Sequence, residues 1–254
     1  MNKFFIRVLN KFKILDLLNV IGSVNLNGKR LKVPVVQKVG FSNLFMSEPW
    51  MIDVLKIVLP IEGKKFIDVG VNIGQTLLKL RSVSSEIDYV GFEPNPLCVK
   101  YVHELIKEND FNNTLIIPSG ISVKNEIGVL NFFSRSDIDS AASVVSDFRP
   151  DHKIFKKEFV TLFNIDSLNN IINLDSISIL KIDVEGAELE VLNSFKIEIE
   201  EKNPIILIEI LPAYNKQNIS RIERQNKIQN MLQNIGYLIF RVVKQDETLI
   251  GFQE

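Results

Sequence analysis

The sequence predicts an α/β fold in which a mostly parallel central sheet carries helices on both faces. Three stretches predict it, because each begins with a short apolar strand, turns, and continues with apolar residues at helical spacing: residues 66–80, 89–107 and 177–192. Parallel strands joined by helices make right-handed crossovers, and such sheets bind ligands beyond the carboxyl ends of their strands. We therefore expect the functional site at that edge.

The first of these units carries the clearest site signal. Its strand ends in the pattern Asp68-x-Gly70-x-Asn72-x-Gly74, directly before the helix. Glycine allows a close backbone approach, and a helix N-terminus offers unpaired N–H groups, so the pattern indicates a nucleotide-type pocket. Asn72 stands where the dinucleotide fingerprint G-x-G-x-x-G has its second glycine, which disfavours a dehydrogenase. The alternative is a tight turn that binds no ligand, with Asp68 as an acid that caps the helix.

Acidic residues also end the next two strands. Glu93 follows the second strand, 25 residues after Asp68, near the spacing at which an acid binds ribose hydroxyls. Because Pro94 comes next, Glu93 could also simply mark the end of a strand. Asp183 and Glu185 follow the third strand at the turn into its helix. Their alternative explanation is electrostatic, because the positive end of the helix dipole stabilises acids in the first turn.

A further apolar run, residues 204–210, predicts a central buried strand that contains Glu209. A glutamate in such a run is out of place unless it has a function. Glu185 and Glu209 are therefore candidate ligands for an acceptor or for a divalent ion, since several carboxylates at one sheet edge can hold a metal. Residues 236–240 and 249–250 are predicted to be closing strands.

Three motifs, taken in order, resemble the FkbM family of S-adenosylmethionine-dependent O-methyltransferases: D-V-G-x-N-x-G from Asp68, F-E-P from Phe92 and K-I-D-V-E-G-A-E from Lys181. The likeness runs from about Pro49 to Pro212. It implies a Rossmann-like class I methyltransferase domain over residues 49–254, with residues 1–48 as an N-terminal helix and β-hairpin extension. It also implies S-adenosylmethionine as the cofactor and a hydroxyl of a sugar or glycoconjugate, in polysaccharide or natural-product tailoring, as the acceptor.

The resemblance also suggests roles for the site residues. Gly70, Asn72 and Gly74 would shape the loop around the methionine portion of the cofactor, Asp68 would orient its ammonium end through that loop, and Glu93 would hold the ribose. Methyl transfer then needs a group that removes the proton of the acceptor hydroxyl. We assign this to Asp183 at the strand tip, with Glu185 or Glu209 positioning the acceptor. Whether a divalent metal takes part stays open.

Composition narrows the alternatives. The chain has 254 residues, a net charge of -1, one cysteine (Cys98) and two histidines (His103 and His152). One cysteine excludes a disulfide framework, and so few cysteines and histidines make a Cys/His zinc site or a Ser-His hydrolase a poor fit. The nearly balanced charge does not indicate a nucleic-acid-binding protein. No apolar run approaches the roughly 20 residues that span a bilayer. We expect a cytoplasmic protein whose partner is a small-molecule or saccharide acceptor.

The N-terminal residues 1–20 mix apolar side chains with four basic ones. They predict an amphipathic helix that either covers the fold or lies on an anionic membrane surface, at the inner face of the membrane. Asn27-Gly28 predicts a β-hairpin that is either a lid or an edge hairpin. The polar stretch from Ser134 to Pro150 is predicted to face the acceptor and, with this hairpin, to close over it, unless it is a floppy insertion.

Two classes of function follow. The first is an O-methyltransferase, and the acids at all three strand tips favour it. The second is a non-catalytic nucleotide-binding or membrane-attached scaffold that retains an S-adenosylmethionine pocket. The sequence leaves open the acceptor and its hydroxyl, the metal dependence, the general base and the oligomeric state.

Overall fold

The computed structural model describes residues 1–59, 65–145, 148–149, 151–212 and 218–254. Its helices are α1 (Lys3–Lys11), α2 (Trp50–Val58), α3 (Gln75–Val83), α4 (Pro96–Asn109), α5 (Glu188–Ser194), α6 (Lys196–Lys202) and α7 (Ile219–Asn234). Its strands are β1 (Asn19–Leu26), β2 (Lys29–Val36), β3 (Lys65–Val69), β4 (Asp88–Phe92), β5 (Thr114–Ile117), β6 (Gly120–Ile121), β7 (Glu126–Phe132), β8 (Lys156–Phe163), β9 (Ile177–Ile182), β10 (Ile205–Ile208), β11 (Arg241–Gln245) and β12 (Thr248–Gln253).

Five parallel strands form the central sheet in the order β10-β9-β3-β4-β5. Every residue of β3 and of β9 is buried, as expected for strands that are covered on both faces. Successive residues point to opposite faces. Phe66 packs in one apolar cluster with α2, α3 and α4, and Ile67 packs in a second cluster with α5, α6 and α7. The predicted parallel sheet with helices on both faces is confirmed.

Two strand predictions were wrong. Residues 204–210 were predicted to be a central strand, but β10 comes last in the order of the sheet and is only half-buried. Ile205 and Leu207 pack against one apolar cluster and Ile206 and Ile208 against the other, so its apolar run resembles that of a central strand. Residues 236–240 form no strand, because α7 is followed by a turn at Gly236 and the closing strands are β11 and β12. These two form a separate hairpin that packs on α2.

The predicted N-terminal hairpin is present, but it is not a lid. At its tip, Asn27 Nδ2 donates to Ser82 O at 3.1 Å and Lys29 Nζ donates to Arg81 O at 3.3 Å. Those carbonyls lie at the C-terminal end of α3, whereas the cavity described below lies at the N-terminal end of this helix. The reason is packing, since β2 lies along α4 and contributes Val33 and Val35 to the shared core.

The amphipathic segment is shorter than residues 1–20. Helix α1 ends at Lys11, Lys13 adopts a left-handed conformation with φ 57°, and a 3-10 turn over Ile14–Leu17 leads into β1. Ile6 is fully buried, so one side of α1 covers the fold as predicted.

Arg81 joins α3 to the starts of β4 and β5. Its buried guanidinium donates to Ser85 O, Ile87 O, Asn112 O, Asn113 O and Thr114 Oγ1 at 2.8 to 3.1 Å. A planar fork of donors is needed to reach these acceptors at once, and the ammonium of lysine cannot replace it.

We expect Arg81→Lys to lower the free energy of unfolding by about 2–4 kcal/mol, because it leaves buried carbonyls without donors. Urea denaturation followed by circular dichroism measures this loss. Arg30→Lys is the matched control, since Arg30 is exposed and makes one side-chain hydrogen bond, to Ser23. Equal midpoints for the two variants would contradict the bracing role of Arg81.

Candidate functional site

A cavity of about 470 Å³ opens at the carboxyl ends of the central strands. Its walls include Val69 and Gly70 after β3, Phe92 and Glu93 after β4, and Asp183 after β9. In the sheet order, β3 leads to β4 and β5 on one side and to β9 and β10 on the other. The cavity therefore lies at the point where the strand order reverses, the position at which open α/β sheets bind ligands.

The loop between β3 and α3 has the conformation that its sequence pattern predicts. Gly70, Asn72 and Gly74 have φ values of 92°, 49° and 73°, in the left-handed region that glycine and asparagine tolerate. At Gly70 an added Cβ would lie 1.8 Å from the carbonyl oxygen of Asp183. Glycine is thus required because this loop lies directly on the end of β9.

Gly70 and Asn72 line the cavity, but Gly74 does not contribute to its wall. Gly74 precedes α3 as its N-cap residue, and an added Cβ would lie 2.9 Å from Leu105 in α4. Its role is to let two helices approach.

Glu93 is held by the same loop. Its Oε2 accepts from the Asn72 N–H at 2.6 Å, and its Oε1 accepts from the Asn95 N–H at 2.8 Å. The side chain lies on the cavity wall although it is almost completely buried. Burial raises the pKa of Glu93 to about 7, and the two amide donors oppose the shift. Each carboxylate oxygen retains a lone pair for a ligand hydroxyl.

Asp68 is placed differently from the direct ligand that a strand-end acid suggests. It is fully buried and does not line the cavity. Its Oδ1 lies 3.0 Å from Lys181 Nζ, and its Oδ2 accepts from Tyr89 Oη at 2.6 Å. Any effect of Asp68 on a ligand must pass through Lys181 and the loop, because Lys181 Nζ also donates to Gly70 O at 3.2 Å.

Lys181 is the cation beneath the cavity. It lies 3.4 Å from Asp183 Oδ2 as well as in contact with Asp68. Burial alone would lower the pKa of Lys181, but the two carboxylates raise it above its ordinary value. Lys181 is therefore a fixed positive charge between the ends of β3 and β9.

The three predicted catalytic carboxylates all line the cavity, each in a different environment. Asp183 is paired with Lys181, and the Glu185 carboxylate is paired with Arg149 at 2.7 Å. Glu209 forms no ion pair with any residue that the structure describes. Burial, followed by the carboxylates of Asp183, Glu48 and Glu185, raises the pKa of Glu209 to about 7.

These carboxylates do not assemble into a metal site. Within the described residues, no group of three or more His, Cys, Asp or Glu side chains could hold a metal ion. The predicted convergence of Glu185 and Glu209 on a divalent ion is therefore not seen in this part of the chain. Ion pairing explains the difference, since Arg149 holds Glu185.

The polar stretch after β7 forms part of the cavity wall. Its contributing residues are Ile138, Asp139, Ser140, Ala142 and Val144. Ser143 Oγ donates to Glu185 O at 2.7 Å, which fixes the stretch to the turn after β9. The predicted position facing the site is thus present, although Ser146, Asp147 and Pro150 lie outside the described residues.

Sequence reasoning missed three site residues. Lys79 is almost fully buried in α3, lines the cavity, and lies 3.6 Å from Glu48, which has a left-handed φ of 54°. Glu48 is the second of these residues, and Arg149, which pairs with Glu185, is the third. A lysine within an apolar helical face was the signal for Lys79, whereas no sequence feature links Arg149 to Glu185. The two histidines, His103 and His152, are exposed and do not line the cavity.

We expect Lys181→Met to destabilise the protein by about 3–5 kcal/mol, because it leaves Asp68 as an unpaired buried charge. Urea unfolding measures the loss. The double variant Asp68→Asn/Lys181→Met should recover part of it. Lys124→Met, at an exposed pair with Glu126, is the control and should change stability by less than about 0.5 kcal/mol. A double variant at least as unstable as the sum of both single changes would refute the pairing.

Comparisons with known proteins agree with this geometry. A model of the methyltransferase FkbM domain matches residues 68–239, which contain the loops after β3, β4 and β9. No protein of curated function matches the chain. The crystal structure of methyltransferase FkbM from Methylobacillus flagellatus KT is 17% identical with a TM-score of 0.48 and covers 74% of this chain, which spans 42% of that protein. Precorrin-6y C5,15-methyltransferase from Geobacter metallireducens GS-15 is 11% identical with a TM-score of 0.43, over 80% of this chain and 81% of that one.

The domain match covers more than half of the chain and includes the cavity loops. The strand order, which runs third, second, first, fourth and fifth along the sheet, is that of a Rossmann-like fold. The chain belongs to the FkbM methyltransferase family.

Proposed function

We propose that the protein is an O-methyltransferase that acts on a hydroxyl of a sugar or glycoconjugate. The observation that carries this proposal is Glu209, a carboxylate on the cavity wall whose pKa is raised to about 7, which suits proton removal near neutral pH. The neighbouring wall is polar and supplies hydrogen-bond acceptors from Glu48, Asp139 and Ser140. Side chains of this kind bind a ligand that presents several hydroxyl donors, as a sugar does.

The cofactor would bind on the side of the cavity that the loops after β3 and β4 form. Glu93 would accept from the ribose hydroxyls, and Gly70 and Asn72 would present the loop backbone to the methionine portion. Fixed amide donors hold the Glu93 carboxylate in place before a ligand arrives. Bound S-adenosylmethionine supplies an activated methyl group on a sulfonium, so the chain's own residues have to orient the acceptor, exclude water and take one proton.

Glu209 is a better candidate for the base than Asp183, to which the sequence assigned this role. Lys181 Nζ lies 3.4 Å from Asp183 Oδ2 and so competes with an acceptor hydroxyl for that oxygen. Glu209 forms no ion pair with a residue that the structure describes, and the neighbouring carboxylates of Asp183, Glu48 and Glu185 favour its protonation. Proton transfer from the acceptor to Glu209 also removes a negative charge from a site that holds several.

Glu185 and Asp183 then serve to position the acceptor. Arg149 fixes the Glu185 carboxylate, and Ser143 fixes its backbone carbonyl, so the side chain is held before an acceptor binds. Asp183 is similarly held by Lys181. Preorganised acceptors of this kind contribute through orientation rather than basicity.

Transfer of labelled methyl from S-adenosylmethionine tests the reaction class. Free sugars, nucleotide sugars and glycolipids should accept the label, and the matching deoxy sugars should not. Mass spectrometry of the product locates the methyl on oxygen. Label that enters proteins or nucleic acids but no saccharide would reject the proposed acceptor class.

Cofactor affinity should fall as the pH is lowered through about 7. The pKa of Glu93 is raised to about 7, ribose hydroxyls donate to its ionised form, and protonation removes that acceptor. The demethylated product, S-adenosylhomocysteine, should bind about tenfold more weakly at pH 6 than at pH 8. Calorimetry on wild type and Glu93→Gln separates this effect from titration of the ligand, and Glu209→Gln should keep the wild-type dependence. If the affinity of Glu93→Gln for S-adenosylhomocysteine fell with pH as steeply as that of the wild type, Glu93 would not be the group that titrates.

The base is tested by a direct comparison of two variants. With saturating cofactor, kcat of the wild type should rise with pH up to about 7, because Glu209 must be ionised to accept a proton. Glu209→Gln should lower kcat by roughly 10²–10⁴-fold and abolish that rise. Asp183→Asn should lower kcat by a smaller factor and should keep the rise of kcat with pH. A larger loss in Asp183→Asn, together with an unchanged pH profile in Glu209→Gln, would return the role of base to Asp183.

A further inference from the structure

The N-terminal helix exposes an apolar face that the methyltransferase site does not use. Phe4 is 73% exposed, Phe12 is 67% exposed, and Leu17 in the following 3-10 turn is 83% exposed. Phe5 and Ile14 are also more than 40% exposed. Large side chains that are exposed singly are common on proteins, but a cluster within 14 successive residues indicates a binding surface.

The geometry of α1 divides its apolar residues between two sides. Residues 4, 8 and 12 are spaced four apart and so share one face. Ile6 and Leu9 lie on the other side, where Ile6 is fully buried and Leu9 packs against the core. The core contact fixes the helix on the protein, and the face that carries Phe4 and Phe12 is thereby held towards solvent.

Basic residues flank this face. Arg7, Lys11 and Lys13 are exposed and pair with no acidic residue in the part of the chain that the structure describes. Residues 1–47 contain eight Lys and Arg but only one acid, Asp16, whereas residues 48–254 contain 22 Lys and Arg and 30 Asp and Glu. The N-terminal segment that carries the exposed apolar face is thus the most basic part of the chain.

We propose that α1 and the 3-10 turn after it dock the protein on an anionic membrane surface. Phenylalanine and leucine would enter the boundary between headgroups and acyl chains, and the basic residues would meet the lipid phosphates. A second copy of the chain fits less well, because a two-fold contact through this face would bring the same unpaired basic residues together. Among the described residues no helix is long and apolar enough to cross a bilayer.

The docking surface is connected to the cavity. The Arg7 guanidinium lies 4.2 Å from the centre of the Phe45 ring. Phe45 belongs to the short segment that also supplies Ser42, Ser47 and Glu48 to the cavity wall. A membrane that holds α1 would therefore lie against the segment that borders the cavity.

The test is flotation of the full chain with vesicles of phosphatidylcholine alone and of equimolar phosphatidylcholine and phosphatidylglycerol. The wild type should float with the anionic vesicles. Raising the ionic strength from about 0.1 M to about 1 M should release it, because the Debye length falls from roughly 10 Å to roughly 3 Å. Lys11→Gln/Lys13→Gln should weaken partitioning roughly thirtyfold, from about fivefold per basic residue.

Phe4→Ser/Phe12→Ser should weaken partitioning by roughly tenfold or more, since two aromatic side chains no longer enter the membrane. Phe159→Ser is the matched control, because Phe159 is 83% exposed on β8 and should leave binding unchanged. Binding of S-adenosylhomocysteine should be equal in all four proteins, which shows that they are folded. The proposal is overturned if the wild type does not float, if the control loses as much binding as the helix variants, or if light scattering shows a dimer that the helix variants break.

Discussion

The ion pair between Lys181 and Asp68 is the interaction on which the cavity depends. It joins β9 to β3 within the sheet, and the same ammonium group holds Asp183 and the carbonyl of Gly70. A single buried cation thus sets the distance between the two strand ends that form the wall of the site. The missing side chain at Gly70 completes this arrangement, because the loop can then lie on the backbone of Asp183.

Among the cavity carboxylates, Glu93 and Glu209 have pKa values raised to about 7 from the same first cause, which is burial, but their surroundings differ. Backbone amides hold Glu93, which suits a fixed acceptor for cofactor hydroxyls. Glu209 faces other carboxylates, which suits a group that gains a proton during the reaction. In the proposed reaction, the environment of each carboxylate, rather than its position at a strand end, would separate binding from proton transfer.

The N-terminal residues contribute to the proposed membrane-docking surface and to the wall of the cavity. Ile6 and the hairpin strand β2 complete the core beside α4, so the segment is not an independent appendage in its packing. Beyond the hairpin, Glu48 contacts Lys79 at the cavity wall. Residues 1–47 carry a net positive charge, whereas the rest of the chain carries a net negative one. Packing therefore places the most basic part of the chain next to the segment that borders the site.

The sequence by itself determined the parallel sheet, the loop conformation at Gly70 and Asn72, and the position of Glu93, because these follow from local periodicity, turn chemistry and strand ends. It misplaced β10 as a central strand and the Asn27-Gly28 hairpin as a lid, because strand order and hairpin packing depend on contacts between distant segments. The tertiary structure alone decided that Lys181 neutralises Asp68, that Arg149 holds Glu185 and that Glu209 forms no ion pair in the described part of the chain. These pairings join residues on different elements, and a carboxylate's pKa depends on which charges the fold places beside it.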